Sequence, residues 1–147
     1  MVDGRRSPRF AIADSAQQVV GGFLLAGPFV VTEEVWVLAA NMTLAHAAVT
    51  VGFVVAIGYG ALYKADDDRD PDREVEVGGV PVRFLSLMVV SYGSVLLLAL
   101  ALTAPRTFAA VVGGIETSVE LAVFTAKAVS VGAIFSVVGA ATADSVF

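Results

Sequence analysis

The chain has no cysteine, one histidine and one tryptophan, and Lys64 and Lys127 are the only lysines among its nine basic residues. Without cysteine there is no disulfide framework and no thiolate metal site. His46 alone makes no histidine cluster. Any metal would have to be held by carboxylates, which favours hard cations such as Ca²⁺ or Mg²⁺ over zinc. There is no Gly-rich phosphate loop ending in Lys-Ser/Thr and no Gly-x-Ser-x-Gly elbow. The expectation is a protein that is not an enzyme and carries no cofactor.

Long polar stretches are also scarce. Hydrophobic residues make up 57% of the 147 residues, and mean hydropathy is +0.83. Four apolar segments cover roughly 15–38, 41–63, 84–104 and 121–141. Each approaches the ~20 residues that a helix needs to cross a ~30 Å hydrocarbon core. The predicted fold is all-α: one integral membrane domain over 1–147 with four transmembrane helices. Four spans leave no extramembrane domain of enzyme size.

The bases are sorted by side. Arg5, Arg6 and Arg9 precede segment 1, and Lys64, Arg69, Arg73 and Arg83 lie in the 64–83 loop. The connections on the other side carry only Arg106. This seven-to-one bias predicts that both termini are cytoplasmic. Arg5-Arg6 could also open a twin-arginine signal. Asp14 interrupts the approach to the apolar run, however, and no small-residue cleavage site leads into a folded domain.

The 64–83 loop holds seven of the fourteen acidic residues. Those acids outnumber its bases, which argues against nucleic acid as a partner. A carboxylate-dense loop in a lysine-poor chain suits a salt-crowded cytoplasm, where repulsion is screened within a few Å. It suggests the cell membrane of a halophilic archaeon; the plainer reading is an acidic linker.

Within segment 1, Pro28 cannot donate to the carbonyl of Leu24, so a kink is expected there. Trp36 is expected as an interfacial anchor. Ala48, Gly52, Ala56 and Gly60 recur every four residues on segment 2, as do Ala128, Gly132, Ser136 and Ala140 on segment 4. Such small-residue stripes permit close helix approach. Two of them suggest a homo-oligomer within membrane lipid. Thr43, His46 and Thr50 form a separate polar face on segment 2. Segment 3 lacks ionisable carboxylates and bases, which makes it the candidate for the most lipid-exposed helix. The stretch 107–118 is too short to cross and is broken by Gly113-Gly114; it is interfacial, re-entrant or an extension of segment 4.

Topology should bring the remaining charges to one end of the bundle. Glu33 and Glu34 end segment 1, Glu116 and Glu120 begin segment 4, and His46 lies one turn into segment 2. Lys127 falls on the Glu120 face of segment 4. Charges at such depth are costly and must be hydrated, paired, protonated or neutralised by a cation. The functional expectation is a cation or proton pathway through Glu33, Glu34, Glu116, Glu120, Lys127 and His46. The alternative is a non-conducting scaffold or accessory subunit. In it the four glutamates lie at headgroup level, Lys127 pairs with Glu120 or a segment 1 glutamate, and His46 joins helices.

Two stretches carry a family resemblance. Pro28, Thr32, Glu34 and Trp36 form a Pro-x-x-x-Thr-x-Glu-x-Trp element within 22–36, and Gly139-Ala-Ala-Thr-Ala-Asp144 ends segment 4. Together they resemble a family of small integral membrane proteins widespread in haloarchaea. That family has no assigned activity, so the resemblance implies localisation rather than mechanism. It draws attention to Glu34 over Glu33, and to Asp144 as a partner for the inner helix ends.

Overall fold

The computed structural model describes residues 12–64 and 76–146. Arg5, Arg6, Arg9 and the acidic stretch 65–75 lie outside them. Six α-helices follow in order: α1 (Ile12–Val30), α2 (Glu33–Asn41), α3 (Leu44–Tyr59), α4 (Val82–Ala101), α5 (Ala104–Val112) and α6 (Ser118–Val146). A π-helical turn, Gly60–Lys64, extends α3. A minimal hairpin, β1 (Glu76–Val77) and β2 (Val80–Pro81), leads into α4. Gly78 and Gly79 both have positive φ, as a tight two-residue hairpin turn requires.

Helix α3 with its extension, α4 and α6 are each long and apolar enough to cross a membrane; α1 and α2 qualify only together. The predicted first span is therefore not one straight helix. Helices α1 and α2 meet at an angle of 80°. Pro28 does not set that angle alone, since α1 continues through it to Val30. The break falls at Val31–Thr32 and is held by side chains. The Thr32 hydroxyl donates to the Pro28 carbonyl, and the Trp36 indole N–H donates to the Val30 carbonyl at 2.9 Å. Carbonyls released at a helix end inside a membrane need such partners.

Trp36 is accordingly not an interfacial anchor. It is 1% exposed and packs against Phe108 of α5 and Phe124 of α6, with ring centroids 5.5 and 5.3 Å away. Thus α2 and α5 are packed together through Trp36 and Phe108, and α6 lies beneath them. The 107–118 stretch resolves into the end of α5 and a loop at Gly113-Gly114, where both glycines have positive φ.

The bundle is built around α6, which packs along α1 and also touches α3 and α4. Gly21 and Gly139 mark the closest crossing of α1 and α6: a Cβ on either would overlap the other's carbonyl oxygen. The stripe of Ala128, Gly132, Ser136 and Ala140 is buried inside the protomer, with Val95 of α4 filling the space over Gly132. The α3 stripe differs. Ala48, Gly52 and Ala56 are exposed, and a Cβ at Gly52 or Gly60 would meet no atom within 4 Å.

Segment 3 is not the most lipid-exposed helix. In the most apolar 18 residues of each span, 11% are buried in α3 with its extension, 28% in α4 and 44% in α6. Helix α4 is drawn inward by Ser91 and Ser94, both buried, and by Arg83, which belongs to its first turn.

Candidate functional site: a buried charge network and an open cavity

Three helices bring polar side chains together at one end of the bundle. Asp14 sits in the first turn of α1, Arg83 in the first turn of α4 and Asp144 in the last turn of α6. Arg83 Nη1 donates to both oxygens of Asp144, at 2.8 and 2.9 Å. Arg83 Nη2 reaches Asp14 at 3.4 Å. Gln18 donates from Nε2 to Asp144 at 3.1 Å and accepts from the Ser86 hydroxyl at 2.7 Å. The Ser86 and Ser15 hydroxyls are 3.1 Å apart. Arg83 and Asp144 are 5% and 4% exposed, and Gln18 is fully buried.

This geometry follows from helix placement. A short carboxylate at the end of α6 can reach a long guanidinium only if α6 and α4 run antiparallel with their ends level. Charged hydrogen bonds are also the strong ones, and the Gln18 carboxamide satisfies a further carboxylate lone pair.

One turn further along α1 from Gln18, the polar track continues in a different form. The Ser136 hydroxyl donates to the Gly22 carbonyl at 3.1 Å. The oxygens of Ser94 and Ser136 lie 3.0 and 3.1 Å from the position a Gly22 Cβ would occupy. Gly22 thus leaves space beside two buried hydroxyls from α4 and α6. Beyond them the seam becomes apolar, with Ala26, Val30, Val95, Ala99, Phe124 and Val129 among its buried side chains.

At the α2/α5 end lies an open cavity of about 730 Å³, lined in part by Glu33, Asn41, Glu120 and Lys127. The structure therefore brings together three of the six residues expected in a pathway. Glu34 is exposed and does not line the cavity. Glu116 lies in a neighbouring notch with Arg106. His46 is exposed and serves its own helix: its backbone N–H donates to Thr43 Oγ1 at 3.3 Å, and its Nδ1 accepts from the Thr43 N–H at 3.1 Å. It is the third helical residue of a capping box, and among the described residues it hydrogen-bonds to no other helix.

Lys127 does not pair with Glu120 or a segment 1 glutamate. Its ammonium donates to the Met42 carbonyl at 2.6 Å, at the C-terminal cap of α2. A cation there meets the negative end of a helix dipole. Glu120 caps α6 instead. Its carboxylate accepts from the N–H groups of Glu116 and Thr117, and the Thr117 hydroxyl accepts from the Glu120 N–H. The Thr-x-x-Glu spacing that announces this box was available in the sequence.

The residues underrated by sequence reasoning are Arg83, Gln18 and Asp14. Arg83 was counted among the loop bases, and Gln18 was not singled out. The available signal was their position: one base and one carboxamide bordering apolar runs, opposite the resemblance's Asp144.

Among the described residues no group of three His, Asp or Glu side chains is arranged to hold a metal ion. A family model for integral membrane proteins matches residues 5–144. No curated protein and no solved structure matches the chain.

Proposed function

The chain belongs to the DUF2391 family of integral membrane proteins, and we propose, from its buried polar side chains, that it provides a cation or proton pathway along the seam between α1, α4 and α6. The observation that carries this reading is the buried charge network of Asp144, Arg83 and Gln18. Ionisable groups are expensive in an apolar bundle, and they concentrate on ion and proton routes. Gln18 and Ser86 extend the network inward, and the Ser94–Ser136 pair at Gly22 supplies the next hydroxyls. The Glu33, Glu120 and Lys127 cavity forms the opposite mouth, where an excess of carboxylates attracts cations.

In this conformation the pathway is closed. Ser136 and Lys127 are nine residues apart on α6, about 13 Å along the axis. The intervening seam is filled by apolar side chains. Conduction requires α1 or α4 to move against α6. The Arg83–Asp144–Asp14 ion pairs, which clasp all three helix ends, are the contacts such a movement would break.

The bias of basic residues supports cytoplasmic termini, which makes the clasp the inner end and the cavity the outer mouth. The open stripe on α3 supports a homo-oligomer. The acidic 64–83 loop supports a halophilic host and the cell membrane as the location.

The second reading is a non-conducting scaffold. One observation favours it: each carboxylate of the network already has Arg83 as its ion-pair partner, so neither depends on a transported ion for one.

The two readings separate in proteoliposomes. A pathway predicts cation or proton flux that falls when Glu33→Gln removes a cavity carboxylate, with oligomer mass unchanged. A scaffold predicts no flux from folded protein and co-purification with a larger partner.

A further inference from the structure

A second concave surface lies on the other side of α6. Helices α4 and α6 border an open groove of about 900 Å³, roofed by the start of α5. Its lining is mainly apolar and includes Leu96, Leu100, Leu121 and Val129. Tyr92 and Ser130 mark one end; Thr103, Arg106 and Ser118 mark the other.

The dimensions match one half of a bilayer. The wall on α4 runs from Tyr92 to Leu100 and that on α6 from Ser118 to Ser130, about 12 and 18 Å at 1.5 Å per residue, and Thr103 continues the first beyond the helix end. Half of a ~30 Å hydrocarbon core is about 15 Å. The Arg106 end is the one that meets the headgroup region, because α4 stops at Ala101 and the chain turns there into the short helix α5.

The charge is also placed for a headgroup. Arg106 is exposed, and among the described residues no carboxylate lies within ion-pair distance of it. Glu116 shares a neighbouring notch with Arg106 without pairing to it. The Thr103 and Ser118 hydroxyls border the same mouth. A guanidinium beside two hydroxyls fits a phosphate oxygen cluster, because a guanidinium presents a fork of donors.

We propose that this groove binds one membrane lipid with an acidic phosphate headgroup, its chain between α4 and α6 and its phosphate at Arg106. The assignment does not depend on any pathway along the α1/α4/α6 seam, since no α1 residue lines the groove. The apolar walls of the groove face a lipid chain instead of each other.

Native mass spectrometry of the full chain in detergent tests this, with phosphatidylglycerol and phosphatidylcholine of identical chains as probes. The expected result is one retained phosphatidylglycerol per chain, preferred over phosphatidylcholine by about fivefold, the share of one basic residue near a membrane surface. Arg106→Gln should abolish the preference and Arg106→Lys should restore most of it. Ala126→Trp, which fills the groove from an exposed alanine, should remove both lipids without changing oligomer mass. Equal retention of the two lipids, or no effect of Arg106→Gln, would overturn the proposal. A smaller oligomer in Ala126→Trp would overturn it too, by giving the groove to a second copy of the chain. If Ala126→Trp fails to fold, the Arg106 pair of variants decides the question alone.

Discussion

Gly21 and Gly139 cross so closely that each occupies the space where the other's side chain would begin. That contact sets the spacing of α1 and α6, and with it the reach of every polar side chain on the seam. Gly139→Ala should therefore destabilise the bundle by about 1–3 kcal/mol, the cost of overpacking a fitted core. Gly27→Ala on α1 meets only Leu98, at an ordinary contact distance of 3.8 Å, and should leave the melting temperature in detergent unchanged or slightly raised. Equal melting of both variants would show that α1 and α6 do not cross at these glycines.

The α3 stripe leads to a separate expectation. If Ala48, Gly52 and Ala56 form the contact between copies, Gly52→Leu should lower the oligomer mass and preserve the helical content. An unchanged mass by light scattering would place the interface on another face.

The clasp of Arg83 and Asp144 is expected to behave as a buried ion pair. Arg83→Gln alone leaves Asp144 buried without its guanidinium and should cost about 3–5 kcal/mol; Asp144→Asn leaves Arg83 its Asp14 partner and should cost less. Replacing both, as Arg83→Met with Asp144→Leu, should recover most of that loss, because apolar groups of similar volume often substitute for a buried pair without loss. Thermal unfolding of the three variants measures this. A double variant as unstable as the sum of the singles would mean that the two residues do not interact.

The helix break gives a fourth expectation. Trp36→Phe keeps the ring against Phe108 and Phe124 and removes only the N–H that serves Val30. A buried carbonyl left unsatisfied costs about 1–3 kcal/mol. Amide exchange should then accelerate at the start of α2 and leave α4 unaffected; uniform exchange across both helices would refute a local role.

The membrane class was legible because hydropathy is a property of composition, and composition survives folding. A kink in the first span was expected, but its angle was not, because a proline weakens a helix without fixing the angle of its bend. The 80° turn depends on Thr32 and Trp36 meeting released carbonyls, although Pro28, Thr32 and Trp36 were already visible as one element. The capping roles of Glu120 and His46 went unread because their charge was noted before their spacing. Each stands three residues after a threonine and caps its own helix. Arg83 was missed for a different reason. Its partners lie 69 and 61 residues away on other helices, and no local pattern announces a contact of that range.

The central claim is that ions or protons cross along the seam of α1, α4 and α6, and flux into proteoliposomes at high KCl tests it most directly. The purified protein should be compared with Glu33→Gln at the cavity and with Gly22→Ala, whose methyl would crowd the Ser94 and Ser136 hydroxyls. The account predicts measurable flux that falls in both variants while helical content and oligomer mass are retained. Absence of flux from a folded, lipid-inserted oligomer, or flux indifferent to both substitutions, would contradict it.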